Sequence, residues 1–428
     1  MSSANSDRPS SKRGLVAWCL YDWANSAFPT VVITFVFAAY FTKSVAVDEI
    51  TGTAQWGWAM SLSALAVGLL SPILGAIADQ SGRRKPWLFT FTGLTIIASA
   101  LLWLIEPDVS FVMLALILGG FGNFAFEMGM VFYNSMLPDI APRKMLGRLS
   151  GWGWGLGYFG GLICLALTLV GFVQTETPWF GLSKDLAEHL RAAPVLVAVW
   201  FAIFAIPLFV FTPDKPRRGV GILTAAKGGI ATLGASLKKI KSYGQILRYL
   251  IARMIYTDGI NTLFAFGGIY AAGTFGMPFS ELIMFGIAIN LTAGIGAVGF
   301  AWIDDKMGPK KVILIALVAL TVLSGILLII ENKTLFWVFG VPLGLFVGPA
   351  QSASRSLMAH LAPAELRTEM FGLYAFSGKA TAFIGPALLA LATDIFQSQR
   401  AGMATILVFF IVGGVLLLPV IDAKAEEV

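Results

Sequence analysis

Two pairs of polar residues with the same spacing interrupt long apolar stretches of this 428-residue chain. The first pair is Asp22 with Asn25, and the second is Asp258 with Asn261. Residues three positions apart lie on one face of a helix, so each pair offers a carboxylate and an amide to one surface. In an apolar environment such a carboxylate can bind a proton or a solute amine, and the amide can hydrogen-bond a polar solute.

Other polar side chains also fall inside apolar stretches, where an ionisable group costs at least about 2.5–3.5 kcal/mol. The further candidates for binding a solute or a proton are Glu127, Gln351, Arg355 and Lys379, together with Tyr21 and Trp23 beside the first aspartate. Arg355 is close enough to the end of its stretch to reach the membrane interface, but it could instead contact a substrate or pair with a carboxylate. Arg253 is expected to reach the interface and to be structural. In an alternative interpretation, each aspartate only pairs with a neighbouring Arg or Lys and pins the molecule together.

The elements that hold these side chains are predicted to be transmembrane helices. Hydrophobic residues make up 57% of the chain and charged residues 13%, against roughly 45–50% and 25% in soluble proteins. A bilayer core of about 30 Å requires about 20 apolar residues per helix. The predicted spans are 15–41, 56–78, 87–105, 109–136, 149–173, 193–212, 247–274, 279–303, 311–330, 334–358, 369–394 and 401–421. The predicted fold class is therefore an all-α integral membrane protein with twelve transmembrane helices.

The net charge of +6 does not indicate a nucleic-acid partner, because the basic residues gather in alternate loops. They concentrate around residues 83–85, 143–148 and 215–248, all on one side of the predicted bundle. Basic loops remain cytoplasmic, so we predict a multi-pass protein of the plasma (inner) membrane with both termini in the cytoplasm. The first apolar stretch is too long for a signal-peptide core and is expected to be retained.

The two halves of the chain repeat one another, as in many transporters. Residues 134–137 correspond to residues 355–358, and the loop after the second span and the Asp-Asn pair also recur. We therefore predict a six-helix half over 1–212, a basic cytoplasmic linker over 213–246 and a second six-helix half over 247–428. The linker either lies on the anionic inner leaflet as a basic amphipathic turn or is an ordinary solvated connection.

The loop after the second span resembles the signature loop of the major facilitator superfamily, G-x-x-x-D-x-x-G-R-[RK]-[RK]. Its motif residues are Gly75, Asp79, Gly82, Arg83, Arg84 and Lys85, and a degenerate copy after the eighth span contains Asp305 and Gly308. The resemblance implies two pseudo-symmetric six-helix bundles and a gating role for the motif. In that role Asp79 contacts basic loop residues and the positive N-terminus of the eleventh helix, which latches the cytoplasmic side while the cavity is open outward.

The run YDWANSAF over residues 21–28 is similar to the opening signature of the autophagy-related vacuolar amino-acid effluxer family and its bacterial relatives, once called the unknown major facilitator group. Fungal members are associated with moving neutral amino acids out of the vacuole, so the resemblance implies an amino-acid substrate by analogy. The sequence departs from the pattern of the drug and proton antiporters. The glycine-rich run Gly157 to Gly161 lacks the proline of drug and proton antiporters, which makes a drug pump a poorer match.

These observations predict a secondary active, proton-coupled or facilitative carrier of a small polar solute such as an amino acid, working by alternating access. If the halves face each other, Asp22 and Asp258 converge on a central cavity from opposite sides. A lipid or lysolipid translocase and a solute sensor without net flux remain alternatives. An enzyme is not predicted, because His189 lies in an outer loop and His360 at the inner end of the tenth span, with no suitably spaced nucleophile. The expected partners are a small-molecule substrate, protons and the bilayer. The protein is expected to be a monomer without a cofactor or a metal, and its two cysteines are not expected to form a disulfide.

Overall fold

All regular secondary structure in the described part of the chain is helical. The structure is a computed structural model that describes residues 10–216, 224, 227–229, 231 and 243–421, without the side chains of 279 and 280. The predicted basic turn of the linker 213–246 therefore lies mostly outside the described residues.

The described helices form two halves of six membrane-spanning elements each. The N-terminal half contains α1 Lys12–Val45, α2 Glu49–Ser81, α3 Lys85–Leu104, α4 Val109–Ile140, α5 Arg143–Val173 and α6 Glu188–Phe211. The C-terminal half contains α7 Gly244–Phe275, α8 Phe279–Met307, α9 Pro309–Ile329, α10 Lys333–Leu361, α11 in two segments (α11a Arg367–Ser377 and α11b Ile384–Phe396) and α12 Gln399–Leu417. Among the described residues, ten of these helices are long and apolar enough to cross a bilayer by themselves. The more polar α7 and the broken α11 complete the twelve.

Both copies of the signature loop end a helix with a glycine in the left-handed region. Gly82 follows α2 with φ 84°, and Gly308 follows α8 with φ 91°. A side chain at such angles is strained, whereas glycine adopts them readily. The next helix then starts at once, with Pro86 or Pro309 in its first turn, where proline is tolerated. The motif glycines are therefore required by the sharp reversal between consecutive spans.

Two of the spanning elements are irregular. In α1 the backbone widens into a π-helical stretch over Phe28–Phe35, where Pro29 cannot donate a backbone hydrogen bond. In α11 the helix stops at Ser377 and resumes at Ile384, so the continuous span predicted over 369–394 is wrong. Irregular backbone at membrane depth is tolerated where it is buried in protein or lines a cavity. Phe28 and Val31 of the π-helical stretch are buried, and Gly378 and Lys379 of the break in α11 line a cavity.

The two ends of the bundle differ in charge. We call the end that carries Arg83, Arg84, Arg143 and Lys144 the basic side, and the opposite end the far side. The two halves pack against each other through α2 with α11a and through α5 with α8. Small residues stand at these contacts, and Gly151 packs directly on Ala301. Small residues of this kind let helix backbones approach closely.

Candidate functional site

Asp79 lies near the end of α2, where it contacts the first turn of α11a in the other half. Its Oδ1 accepts a hydrogen bond from Thr368 Oγ1 at 2.7 Å, and its Oδ2 accepts one from the backbone N–H of Glu369 at 2.9 Å. The first amides of a helix lack intrahelical partners and carry partial positive charge, so a carboxylate is stabilised there. Arg84 donates from Nε to the same Thr368 hydroxyl at 2.8 Å. The contact that the signature-loop resemblance implies for Asp79 is thus present in the structure.

Asp139, at the end of α4, is a second place where the halves meet on the basic side. Its carboxylate pairs with Arg84 of its own half and with Arg367 of the other half. Lys215, at the start of the linker, also approaches Asp139 Oδ1, at 3.2 Å. Asp139 was not predicted from the sequence. Its position just before the basic loop at 143–148 suggests a nearby cation, but it does not reveal the three partners that are distant in the chain.

The other basic residues of the motif hold the start of the linker. Lys85 Nζ donates to the carbonyl oxygen of Thr212 at 2.7 Å, and Arg83 Nε lies 3.7 Å from the carboxylate of Asp214. The same carboxylate accepts from the backbone N–H groups of Arg84 and Lys85 and so caps α3. These contacts stay within the N-terminal half and its exit, whereas those of Asp79 and Asp139 cross between the halves.

Asp305, in the second copy of the motif, contacts the first turns of α5 in the opposite half. Its Oδ1 accepts from the backbone N–H of Arg148 at 3.2 Å, and its Oδ2 pairs with the Arg148 side chain. This repeats the arrangement of Asp79 with α11a under the pseudo-symmetry of the two halves. The basic side is therefore closed by two related carboxylate-to-helix contacts.

Deeper in the bundle, Arg355 of α10 reaches across into the N-terminal half. Its Nη1 lies 2.9 Å from Asp22 Oδ2 and 3.2 Å from Asn134 Oδ1, its Nε lies 2.9 Å from Ser150 Oγ, and its Nη2 donates to the Ser150 carbonyl at 2.7 Å. The side chains of Arg355 and Asp22 are 1% and 6% exposed. Of the two possibilities left open for Arg355, pairing with a carboxylate is the one observed, and the alternative interpretation of Asp22 as a pin between the halves agrees with this geometry.

Two aromatic rings and Gly153 of α5 pack closely against this ion pair. The Arg355 guanidinium lies 4.9 Å from the Trp18 ring and 5.6 Å from the Tyr133 ring, and such contacts stabilise a cation away from water. A β-carbon at Gly153 would lie 2.8 Å from Arg355 Nη2 and even closer to the Asp22 carboxylate. Glycine at this position of α5 therefore permits the ion pair.

Beyond the ion pair a cavity of about 910 Å³ extends between the halves. Its floor is formed by Asp22, Asn134 and Arg355, and its walls continue to Phe35 and Phe336 near the far side. The other charged lining residues are Glu127, Arg253 and Lys379, and the amide-bearing ones are Asn25, Asn261, Asn290 and Gln351. A cavity of this size and mixed lining is typical of a small-molecule site.

Glu127 and Lys379 form a second ion pair between the halves, about midway along the cavity. Lys379 Nζ lies 2.7 Å from Glu127 Oε1, and both side chains remain partly exposed to the cavity. Lys379 stands in the turn between α11a and α11b. The sequence placed both residues deep in their spans but did not reveal that they are partners.

Arg253 lines the cavity in this structure, whereas the sequence predicted that its side chain would reach the membrane interface. Its Nη1 donates to the Tyr374 carbonyl and to Ser377 Oγ, each at 2.7 Å, and its guanidinium stacks 3.5 Å from the Tyr374 ring. Arg253 stands two helical turns before Asn261, which also lines the cavity. That spacing was the signal in the sequence that could have located it.

Asp258 is not where the sequence analysis expected it. Asn261 lines the cavity, but Asp258 does not; it is 2% exposed and accepts from the backbone N–H of Gly385, at the start of α11b, at 3.1 Å. Asp22 and Asp258 therefore do not face each other across the cavity. The physical reason is that the break in α11 exposes helix-terminal N–H groups that require an acceptor.

Tyr21 and Trp23 are packing residues in this structure and do not line the cavity. The Tyr21 hydroxyl hydrogen-bonds with Thr92 at 2.7 Å, and its ring stacks on Tyr133. Trp23 stacks on Trp200 of α6. Both residues flank Asp22 along the chain, but adjacent residues of a helix point in directions about 100° apart. Trp154, which the sequence analysis did not select as a ligand contact, lines the cavity instead.

Comparison with known proteins identifies the family to which this arrangement belongs. The family described as "Vacuole effluxer Atg22 like" matches residues 43–427. This chain belongs to the vacuole effluxer Atg22-like family. The family expected from the sequence is therefore confirmed. The matched region begins after the run at 21–28 that indicated it.

Relatives of this Atg22-like protein include a bacterial MFS-type transporter and fungal autophagy-related proteins. It is 26% identical over 418 residues to the uncharacterized MFS-type transporter YxiO of Bacillus subtilis, a match that covers 96% of both chains. It is 27% identical over 300 residues to autophagy-related protein 22 of Cryptococcus neoformans, where the match covers 65% of this chain and 50% of the relative. The chain thus spans about half the length of that fungal relative.

The solved structure of the Escherichia coli fucose:proton symporter FucP superimposes with a TM-score of 0.69 at 14% identity, over 95% of this chain and 97% of the symporter. At that identity the likeness concerns the fold alone. The predicted fold of twelve helices in two six-helix halves is confirmed. The Atg22-like chain is accordingly a multi-pass membrane protein with the major facilitator fold.

Proposed function

We propose that this Atg22-like transporter carries a small polar solute, with amino acids as the first candidates, by alternating access and in company with protons. The observation that carries the proposal is a charged cavity shared by the two halves, with contacts between the halves sealing its basic side. Asp79 with α11a, Asp139 with Arg367, and Asp305 with Arg148 all cross between the halves. In the proposed cycle, the halves 1–212 and 247–428 rock about the cavity, with 213–246 as the linker.

The direction of opening follows from the charge of the loops. If the basic side is cytoplasmic, as basic loops favour, the structure corresponds to an outward-facing state in the plasma (inner) membrane. Asn261 and Phe264, in the middle of α7, are exposed within the cavity, which supports access for a solute from the far side.

The proton site in this proposal is Asp258. Asp22 already has Arg355 as its counter-charge, and Glu127 has Lys379. No described ion pair includes Asp258, and its Oδ1 has no described hydrogen-bond partner. An isolated carboxylate held away from water is costly, so it is stabilised by binding a proton. Asp258 accepts a hydrogen bond from the start of α11b. Binding of a proton at Asp258 would therefore alter a contact of the segment that follows Lys379.

The first test is uptake of a panel of neutral amino acids into proteoliposomes with an imposed pH gradient. We expect accumulation of at least one of them above equilibrium, and loss of the accumulation when a protonophore removes the gradient. Absence of both uptake and counterflow for the whole panel would contradict the proposal.

Asp258→Asn provides a sharper test of the coupling. The amide still accepts from Gly385 but cannot exchange a proton, so we expect accumulation driven by the pH gradient to fall at least about tenfold while counterflow exchange persists. Asp394→Asn, an exposed position in α11b, is the matched control and should behave like the parent protein. Unchanged gradient-driven accumulation in Asp258→Asn would remove Asp258 from the mechanism.

A further inference from the structure

Arg253 is the one cation in the cavity for which the described residues supply no carboxylate. The charged lining consists of Asp22, Glu127, Arg253, Arg355 and Lys379, which is three cations against two carboxylates. Arg355 and Lys379 each take one of the carboxylates. The cavity therefore carries an uncompensated positive charge that lies at Arg253.

The guanidinium of Arg253 is held in place by only one of its nitrogens. Nη1 makes both hydrogen bonds to α11a, and the Tyr374 ring covers one face of the group. Nε has no described partner and no described hydrogen bond uses Nη2. These two nitrogens form one edge of the guanidinium fork, the edge that binds a carboxylate through two parallel hydrogen bonds.

A purely structural role explains part of this arrangement but not all of it. A cation near the C-terminal carbonyls of α11a is stabilised by the helix dipole, and the Nη1 contacts supply that role. Nε is buried, and leaving a buried donor without an acceptor is costly unless a ligand satisfies it. The unused edge therefore requires an acceptor that the described residues do not provide.

The Arg253 guanidinium lies next to the turn of α11 that carries Lys379. Gly378 contacts the guanidinium, with a β-carbon there 3.1 Å from Nη1, and Lys379 is the next residue. Lys379 in turn holds Glu127 at 2.7 Å. A solute whose carboxylate binds Arg253 would therefore lie close to the turn that carries Lys379 and to its partner Glu127. Glu127 can then accept a hydrogen bond from the ammonium group of the same solute.

We propose that Arg253 is the anchoring site for a carboxylate group of the transported solute, so that the solute class is small carboxylates, including zwitterionic amino acids, and excludes amines and uncharged sugars. This inference rests on the proposed transport function for its physiological meaning, but solute binding can be measured without flux.

The decisive experiment compares binding of alanine, leucine and phenylalanine with binding of their primary amides to the purified full-length protein. The amide keeps the side chain and the amine but removes the carboxylate charge. We expect at least one amino acid to bind and its amide to bind on the order of 100-fold more weakly, because the buried charge of Arg253 is left unpaired. Equal affinity for an amino acid and its amide, or no binding by any of the three acids, would overturn the inference.

Two variants separate ligand recognition from structure. Arg253→Gln should weaken the amino acid on the order of 100-fold without changing the amide. Arg253→Lys keeps a cation for the α11a carbonyls but lacks the planar fork, and should recover only part of the affinity. Arg400→Gln, which removes an arginine that contacts Ile330 outside the cavity, is the matched control. Should Arg253→Gln not fold, the comparison of acid with amide in the parent protein decides alone.

The outcomes distinguish this inference from the transport proposal. Binding that depends on Arg253 without any flux in proteoliposomes would contradict transport and leave the carboxylate site standing. Amino-acid flux that persists with unchanged affinity in Arg253→Gln would support transport and eliminate the site.

Discussion

Replacing Asp22 with asparagine is expected to reduce transport by about 100-fold or more, because it leaves the Arg355 guanidinium buried without a counter-charge. Breaking a buried pair by removing one partner costs about 3–5 kcal/mol, and each 1.4 kcal/mol corresponds to about a factor of ten. The Arg355 side chain is only 1% exposed, so water in the cavity can replace little of the lost counter-charge in this state. The cost falls on the state in which the basic side is closed, and the transport cycle depends on that state.

The measurement is a double-mutant cycle of Asp22→Asn, Arg355→Gln and the double variant, read as initial uptake and as thermal stability. The double variant removes both charges, so we expect it to be more stable than Asp22→Asn alone and the two changes to be non-additive. Asp185→Asn, in an exposed far-side loop, controls for loss of a carboxylate as such. Additive effects in the cycle would show that the two side chains are not coupled.

Adding one methyl group at Gly75 is expected to open the basic side of the molecule. A β-carbon there would lie 2.5 Å from the Thr368 carbonyl oxygen and 2.8 Å from its carbonyl carbon. Backbone atoms cannot give way as a flexible side chain does, so α2 and α11a must separate. Separation also breaks the Asp79 contacts with Thr368 and Glu369, and hydrogen bonds to charged groups contribute about 1.5–3 kcal/mol each. A shift of at least about tenfold toward the basic-side-open state follows.

A single reporter cysteine, Ala375→Cys in the cavity lining, measures this shift with a membrane-impermeant maleimide. In Gly75→Ala we expect labelling from the far side to slow and labelling from the basic side to appear. Gly93→Ala is the matched control, because a β-carbon at this helical glycine of α3 has nothing within 4 Å. Cys19 and Cys164 are buried, and the parent protein without the reporter gives their background. Identical labelling of Gly75→Ala and Gly93→Ala from both sides would contradict the proposal that the contact of α2 with α11a keeps the basic side closed.

Features that depend on the local sequence were predicted well. The length of each apolar run reports the thickness of a bilayer, which is why the helix order and the count of spans agree with the structure. The repeated signature loop also constrained the backbone, because Gly82 and Gly308 each occupy a left-handed turn. The break in α11 was missed, since the run over 369–394 is mostly apolar and hydropathy does not report a local turn.

Features that depend on how helices are rotated were predicted less well. Asp258 and Asn261 share a face to within one turn, yet the structure places Asn261 in the cavity and Asp258 against Gly385. Tyr21 and Trp23 flank Asp22 in the chain but pack inside the N-terminal half. Spacing along a helix says which residues point the same way, whereas the neighbouring helices decide what lies in that direction.

The sequence by itself determined the membrane-spanning class, the two related halves, the signature loop and a short set of charged residues at membrane depth. Only the tertiary structure decided their partners: Asp22 pairs with Arg355 and Glu127 with Lys379, whereas Arg253 has no carboxylate partner among the described residues. The physical reason is that apolar length and turn chemistry are local properties, while the pairing of charges depends on the positions of helices from both halves in one conformational state.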